Sequence, residues 1–193
     1  MIVACEDALS EAVIRKLVQV VRPDIAIQVV LGLRGKGYLE AKARQFNRTA
    51  RNIPVFLLVD ADTPNPCPSQ LKANWLGGHS EPYMLFRVAV FEVESWILAD
   101  RKRCAEFLAV PLNRIPLNTD SIPDPKRELV NVARRSRRRD IKLALVPAHG
   151  ATNSVGPEYN SRLAGFVAEH WEPLTAAQVS PSLSRAIARL ADI

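Results

Sequence analysis

Cysteine and histidine are scarce in this chain, with three of each among 193 residues. Cys5, Cys67 and Cys104 lie far apart and form no C-x-x-C pair, which excludes a disulfide framework and a zinc ribbon. They read as small apolar fillers. His79, His149 and His170 show no H-E-x-x-H or other paired spacing, which argues against a zinc hydrolase. Long apolar runs are missing too. "VFLLV" and "FRVAVF" fall far short of the roughly 20 residues that cross a bilayer, and no charged-then-apolar leader opens the chain. A cytoplasmic protein with no membrane partner is expected. Any metal would be a hard, oxygen-liking ion, Mg2+ or Mn2+.

What is present is an ordinary globular composition, 48% apolar and 24% charged, with its charge gathered in one place. Residues 126–142, "KRELVNVARRSRRRDIK", hold eight Lys/Arg and two Asp/Glu, a local balance of +6 that equals the net charge of the whole chain. Such a patch is the footprint of a polyphosphate or nucleic-acid partner, DNA or RNA. Arg134, Arg135, Arg138 and Arg139 recur at spacings of three and four and are expected on one helical face, where their guanidinium forks suit phosphate oxygens. Lys126 opens the same run. The tryptophans Trp75, Trp96 and Trp171 occupy expected core positions and do not interleave with the arginines, so no base-stacking platform is visible.

Hydrophobic periodicity gives the order βαβαβαβα. "MIVACE" is a strand, and "ALSEAVIRKLVQVV" a helix with Leu9, Val13 and Leu17 on one face. "IAIQVVLG" and "YLEAKARQFNRTARN" repeat the unit. "IPVFLLVDAD" does not alternate and reads as a central parallel strand buried on both faces. "SQLKANWLGG" is a short helix closed by glycine. "YMLFRVAVFEVES" is taken as a fourth strand and "WILADRKRCAEFLAV" as a fourth helix. The implied fold class is α/β, Rossmann-like, with a mostly parallel four-stranded sheet flanked by helices over residues 1–110. Past a proline-rich connection, helices at roughly 125–145, 157–171 and 182–192 form a helical C-terminal appendage over 111–193, packed on the first part.

Three expected strands end in acids: Glu6 on the first, Asp60 and Asp62 on the third, Glu92 and Glu94 on the fourth. Ligands of an open parallel sheet bind beyond the carboxyl ends of its strands. Residues two apart on an extended segment share a side, so Asp60 pairs with Asp62 and Glu92 with Glu94. If the first and third strands are neighbours, about 4.8 Å apart, Glu6 joins the aspartates. Carboxylates so close repel unless a cation lies between them, and Mg2+ accepts one or two of them together with waters and a substrate phosphate. Phosphodiester hydrolysis is the reaction class this implies. Asp7 reads as the cap of the first helix. The loop "GLRGKGYLEAK" places Arg34 and Lys36 among Gly32, Gly35 and Gly37, where backbone amides and two cations suit a phosphate, but it matches neither nucleotide-binding fingerprint. In "AHGATNSVGPEY", His149, Asn153 and Ser154 sit in a glycine-bearing loop with two readings, a position near the site or a plain connector, of which the connector is favoured.

Glu6 after the first strand and Asp60-Ala-Asp62 after the third resemble the TOPRIM domain of topoisomerases, primases and OLD-type and RloB-type nucleases. "CEDALSEAVIRKLV", "FLLVDADTPNPCPSQL", "FEVESWILAD", "SIPDPKREL" and "GPEYNSRLA…SPSLSRAIARL" together resemble a bacterial TOPRIM-like family of unknown function, related in pattern to phage-defence proteins. The resemblance implies that Glu6, Asp60 and Asp62 bind Mg2+ (or Mn2+), that Glu92 and Glu94 belong to the site edge with Trp96 beneath them, and that an Mg2+-dependent nuclease, working with a defence partner such as an ATPase, is the activity. The family's Glu-Gly-x-Thr-Glu run is replaced here by Glu6-Asp7-Ala8-Leu9-Ser10-Glu11, without its glycine and threonine. Two alternatives stay open: a haloacid dehalogenase-like phosphatase with Asp60 as nucleophile and Asp62 as acid or base, and a non-catalytic nucleic-acid-binding or regulatory module.

Overall fold

The computed structural model describes residues 1–61 and 67–193. Asp62, one of the expected site acids, lies outside the described residues.

Strand β1 (Ile2–Cys5) leads into α1 (Ala8–Val21), β2 (Val29–Gly32) into α2 (Lys36–Thr49), β3 (Val55–Asp60) is followed by α3 (Pro68–Leu76), and β4 (Met84–Ala89) closes the sheet. The strands are all parallel, in the order β2-β1-β3-β4. The chain therefore moves one way from β1 to β2 and then the other way across β1 to β3 and on to β4. Right-handed crossovers require that reversal to put the connecting helices on opposite faces. The packing follows: Val3, Cys5, Phe56, Leu58 and Leu85 join the α1 side, while Ala4, Val55, Leu57, Met84 and Phe86 join Leu39 and Phe46 of α2 and Trp75 of α3. The topological switch point lies between β1 and β3, the adjacent strands that carry Glu6 and Asp60 at their carboxyl ends.

The expected fourth strand is shorter than its apolar run. It stops at Ala89, because Phe91 takes a left-handed backbone conformation, φ 62°, that no strand accommodates. Glu92 lies in the turn and Glu94 opens α4 (Glu94–Ala99), so the two are not an extended pair on one side of a strand. The expected fourth helix is two, α4 and α5 (Arg101–Leu108), which meet at the buried Asp100. The helix expected over 125–145 is also two, α6 (Pro125–Ala133) and α7 (Arg139–Leu145). Between them Ser136 is buried, and its hydroxyl accepts the Arg138 N–H at 3.0 Å. The arginine run thus bridges a turn, and Arg134, Arg135, Arg138 and Arg139 do not share one helical face.

Helices α8 (Tyr159–Glu169), α9 (Pro173–Ala176) and α10 (Pro181–Ala191) complete the chain. They are not a separate layer. Leu163, Phe166, Trp171 and Leu183 share one hydrophobic cluster with Val3, Leu9, Phe56 and Trp96. The Trp96 indole donates to Ser182 Oγ at 2.7 Å, and the Trp171 indole donates to the Trp96 carbonyl at 3.3 Å. No helix among the described residues is long and apolar enough to cross a membrane.

Candidate functional site at the strand ends

Asp7 caps α1 by accepting the Ser10 N–H at 2.8 Å, which turns the chain sharply as it leaves β1 and leaves Glu6 beside the end of β3. There a Glu6 carboxylate oxygen accepts the Asp60 N–H at 3.1 Å. The Asp60 carboxylate in turn accepts the Val93 N–H at 3.0 Å, tying the end of β3 to the turn before α4. Lys36, on the first turn of α2, donates to the Asp60 carbonyl at 2.8 Å and to the Ala61 carbonyl at 3.4 Å. The glycine loop permits this reach, with Gly32 at φ 103° and Gly35 at φ 77° in backbone conformations that side chains disfavour. Arg34 instead lies over the Tyr38 ring, 5.6 Å from its centroid.

The second half of the site joins two sequence motifs. In Asp124-Pro125-Lys126, Asp124 caps α6 by accepting the Arg127 N–H at 2.8 Å, and Pro125 takes the first helical position. Lys126 then presents both its groups to one partner: its N–H donates to Glu92 at 2.8 Å, and its ammonium stands 3.2 Å from the other Glu92 oxygen. The same ammonium is 3.8 Å from Glu94, whose Oε1 also accepts the Tyr159 hydroxyl at 3.0 Å. Glu94 is 1% exposed, and its Oε2 has no hydrogen-bond partner among the described residues. A buried carboxylate oxygen without a donor is costly and asks for a cation or a proton.

The electrostatics answer with a proton. Burial pushes the Glu94 carboxyl up to about 7, against the pull of the Lys126 ammonium and with the push of Glu92. Asp60 is held well above the usual carboxylate range, first by burial, then by the charges of Glu94 and Glu6, with Lys126 opposing. For Lys126, burial works to lower its proton affinity, but Glu94, Glu92 and Asp60 outweigh it and hold it higher than an ordinary lysine. Glu6, Asp60, Glu92, Glu94, Lys36 and Lys126 therefore act on one small region. Among the described residues the Arg134, Arg135, Arg138 and Arg139 run makes no hydrogen bond or ion pair with these acids: Arg138 pairs with Asp140, and Arg134 lines the wall of the neighbouring cleft.

That cleft, about 1000 Å³, opens beside Glu92 between α6 and the loop after α7. Lys126, Arg127 and Arg134 line one wall and His149, Asn153 and Ser154 the other. The loop that reads as a connector in the sequence is thus a cleft wall. Tyr159 is a residue that sequence reasoning missed. Its signal was weak, a tyrosine among the apolar positions of a helix, since only the fold brings it to Glu94.

Among the described residues no group of three metal-binding side chains converges. Compared with protein-family models, curated proteins and solved structures, the chain matches none of them.

Proposed function

We propose that the chain is an Mg2+-dependent phosphodiester-processing enzyme, in the first place a nuclease, with its acidic site at the carboxyl ends of β1 and β3. The observation that carries this reading is the 3.1 Å hydrogen bond from the Asp60 N–H to Glu6, which fixes two acids of adjacent strands at the switch point of a parallel sheet. The donor set suits a hard cation. It is all oxygen, burial and then crowding by like charge drive Asp60 toward its protonated form, and the nearby Glu94 has a buried oxygen without a donor among the described residues. Glu6 and Asp60 would hold the ion, with Asp62 two residues further along the chain. When bound, Mg2+ supplies charge neutralisation of these acids and polarisation of a phosphoryl oxygen.

The chain's own residues divide the remaining work. Lys36, on the Asp60 and Ala61 carbonyls, steadies the end of β3. Lys126 holds Glu92 and Glu94 together and partly offsets their charge. Glu94, titrating near 7, is suited to give or take a proton at neutral pH. The cleft walls, with Lys126, Arg127, Arg134 and His149, offer positive charge and polar groups to a nucleic-acid backbone without reading its sequence. A TOPRIM-type arrangement fits this division of labour.

The test is direct. Mg2+ binding by isothermal titration should weaken by about tenfold or more in Glu6→Gln and in Asp60→Asn. Cleavage of plasmid, single-stranded DNA or RNA in Mg2+ or Mn2+ should fall with it. Unchanged Mg2+ binding in both variants removes the site assignment. Metal binding without cleavage of any substrate leaves a binding module in place of an enzyme.

A further inference from the structure

Strand β4 is a sheet edge, and toward α10 it presents a charge where its neighbours are apolar. Arg87 lies between Leu85 and Ala89, both in the core on that face. It is half-buried, and its Nε is buried with no hydrogen-bond partner among the described residues. The charges around it have the same sign. On α10, Ser182, Arg185 and Arg189 recur at spacings of three and four and so share a face, while Lys72 comes from α3. Burial, then Arg189 and Arg185, lower the proton affinity of Arg87, and burial, then Arg87 and Arg189, lower that of Lys72, with no acid among the described residues offsetting either. Arg189 is committed to the Pro82 carbonyl at 2.6 Å. Lys72, Arg87 and Arg185 are left around a cavity of about 180 Å³ whose wall includes Ser69 and Ser182.

An edge strand blunted against pairing with another chain needs only an exposed charge. A desolvated guanidinium with an unmatched nitrogen, crowded by further cations, is a costlier arrangement and calls for an anion. We propose that this pocket is a phosphate-binding site, in which Arg87, Arg185 and Lys72 hold one phosphate group. Guanidinium forks match phosphate oxygens in pairs, and lysine adds a point charge. The cavity lies below the roughly 300–1,000 Å³ of pockets that enclose a whole small ligand, so one group enters and the rest of a larger molecule stays outside. The phosphate is free or belongs to a nucleic-acid backbone, and the site stands independently of the acidic cluster.

Titration of the full chain with inorganic phosphate, against chloride at constant ionic strength, should give saturable binding at one site. Affinity should fall by about tenfold or more in Arg185→Ala and in Arg87→Met. Arg185 is exposed, so its variant probes the site without touching the core. Removing the repelled charge in Arg87→Met should leave the phosphate-free melting temperature unchanged or higher, whereas a purely structural arginine would lower it. A short single-stranded oligonucleotide separates the sources. Parallel loss of its binding in Arg185→Ala assigns a backbone phosphate; loss of inorganic phosphate binding alone assigns free phosphate. Absence of saturable phosphate binding, or equal binding by wild type and both variants, overturns the proposal.

Discussion

Glu94 concentrates the conflict at the heart of this molecule. It is almost fully buried, it has one oxygen held by Tyr159 and approached by Lys126, and its other oxygen has no donor among the described residues. Because burial raises its pKa from 4.5 to about 7, the folded chain binds more protons than the unfolded chain between those values. Stability present below that window is therefore lost as pH rises through about 7, by on the order of 3 kcal/mol from this group. Asp60, also raised, acts in the same sense. In chelator, the melting temperature should fall between about pH 5 and pH 8, and Glu94→Gln should flatten that fall and melt above wild type at the upper pH. Thermal denaturation by circular dichroism at the two pH values checks it. A steeper fall in the variant would mean that Glu94 is held ionised throughout.

At the scale of elements, sequence and structure diverge at the ends of elements more than in their centres. The periodicity of α1 and the unbroken apolar run of β3 were enough to place both, because burial on one face or on two leaves its mark in the pattern. The end of β4 was not readable: "RVAVFEVES" stays apolar past Ala89, and only the left-handed Phe91 stops the strand. The result changes chemistry as well as boundaries, since Glu92 turns to Lys126 and Glu94 enters the core as the first residue of α4. A similar constraint shapes the cleft. Gly156 packs so tightly on the end of α7 that an added Cβ would lie 2.4 Å from the Ala144 carbonyl oxygen and 2.7 Å from the Val146 nitrogen. Its own N–H donates to the Leu145 carbonyl at 2.9 Å, pinning the loop that carries His149. Gly156→Ala should cost about 1–3 kcal/mol and weaken any ligand of the cleft, as denaturant unfolding and binding titration would show. Stability equal to wild type would mean that the loop can shift freely.

Across the whole molecule, the helices after residue 110 are structural partners of the sheet. Helix α1, whose Leu9, Val13 and Leu17 are fully buried, shares its cluster with Leu163 and Phe166 of α8 and Leu183 of α10. Trp96 is anchored to Ser182 and to Trp171. A fragment of residues 1–110 should therefore lack a cooperative thermal transition, in calorimetry as in tryptophan fluorescence. A sharp two-state transition in that fragment would show that the sheet folds alone.

The sequence by itself determined the α/β class, the order of the four strands and of the helices between them, and the presence of acids where strands run out, because local periodicity and burial on both faces are written into the order of apolar residues. It also placed Asp7 as the α1 cap and the tryptophans in the core, since each depends on neighbours a few residues away. Tertiary structure alone decided which acids meet. The strand order puts Glu6 against Asp60, the α6 N-terminus brings Lys126 to Glu92 and Glu94, and α8 brings Tyr159. It also gathered Lys72, Arg87 and Arg185 from two helices and an edge strand, and dispersed the arginine run that looked most purposeful in the sequence. The physical reason is the same in each case. A charge contributes according to its distance from other charges and its separation from water, and both are set by how distant segments pack.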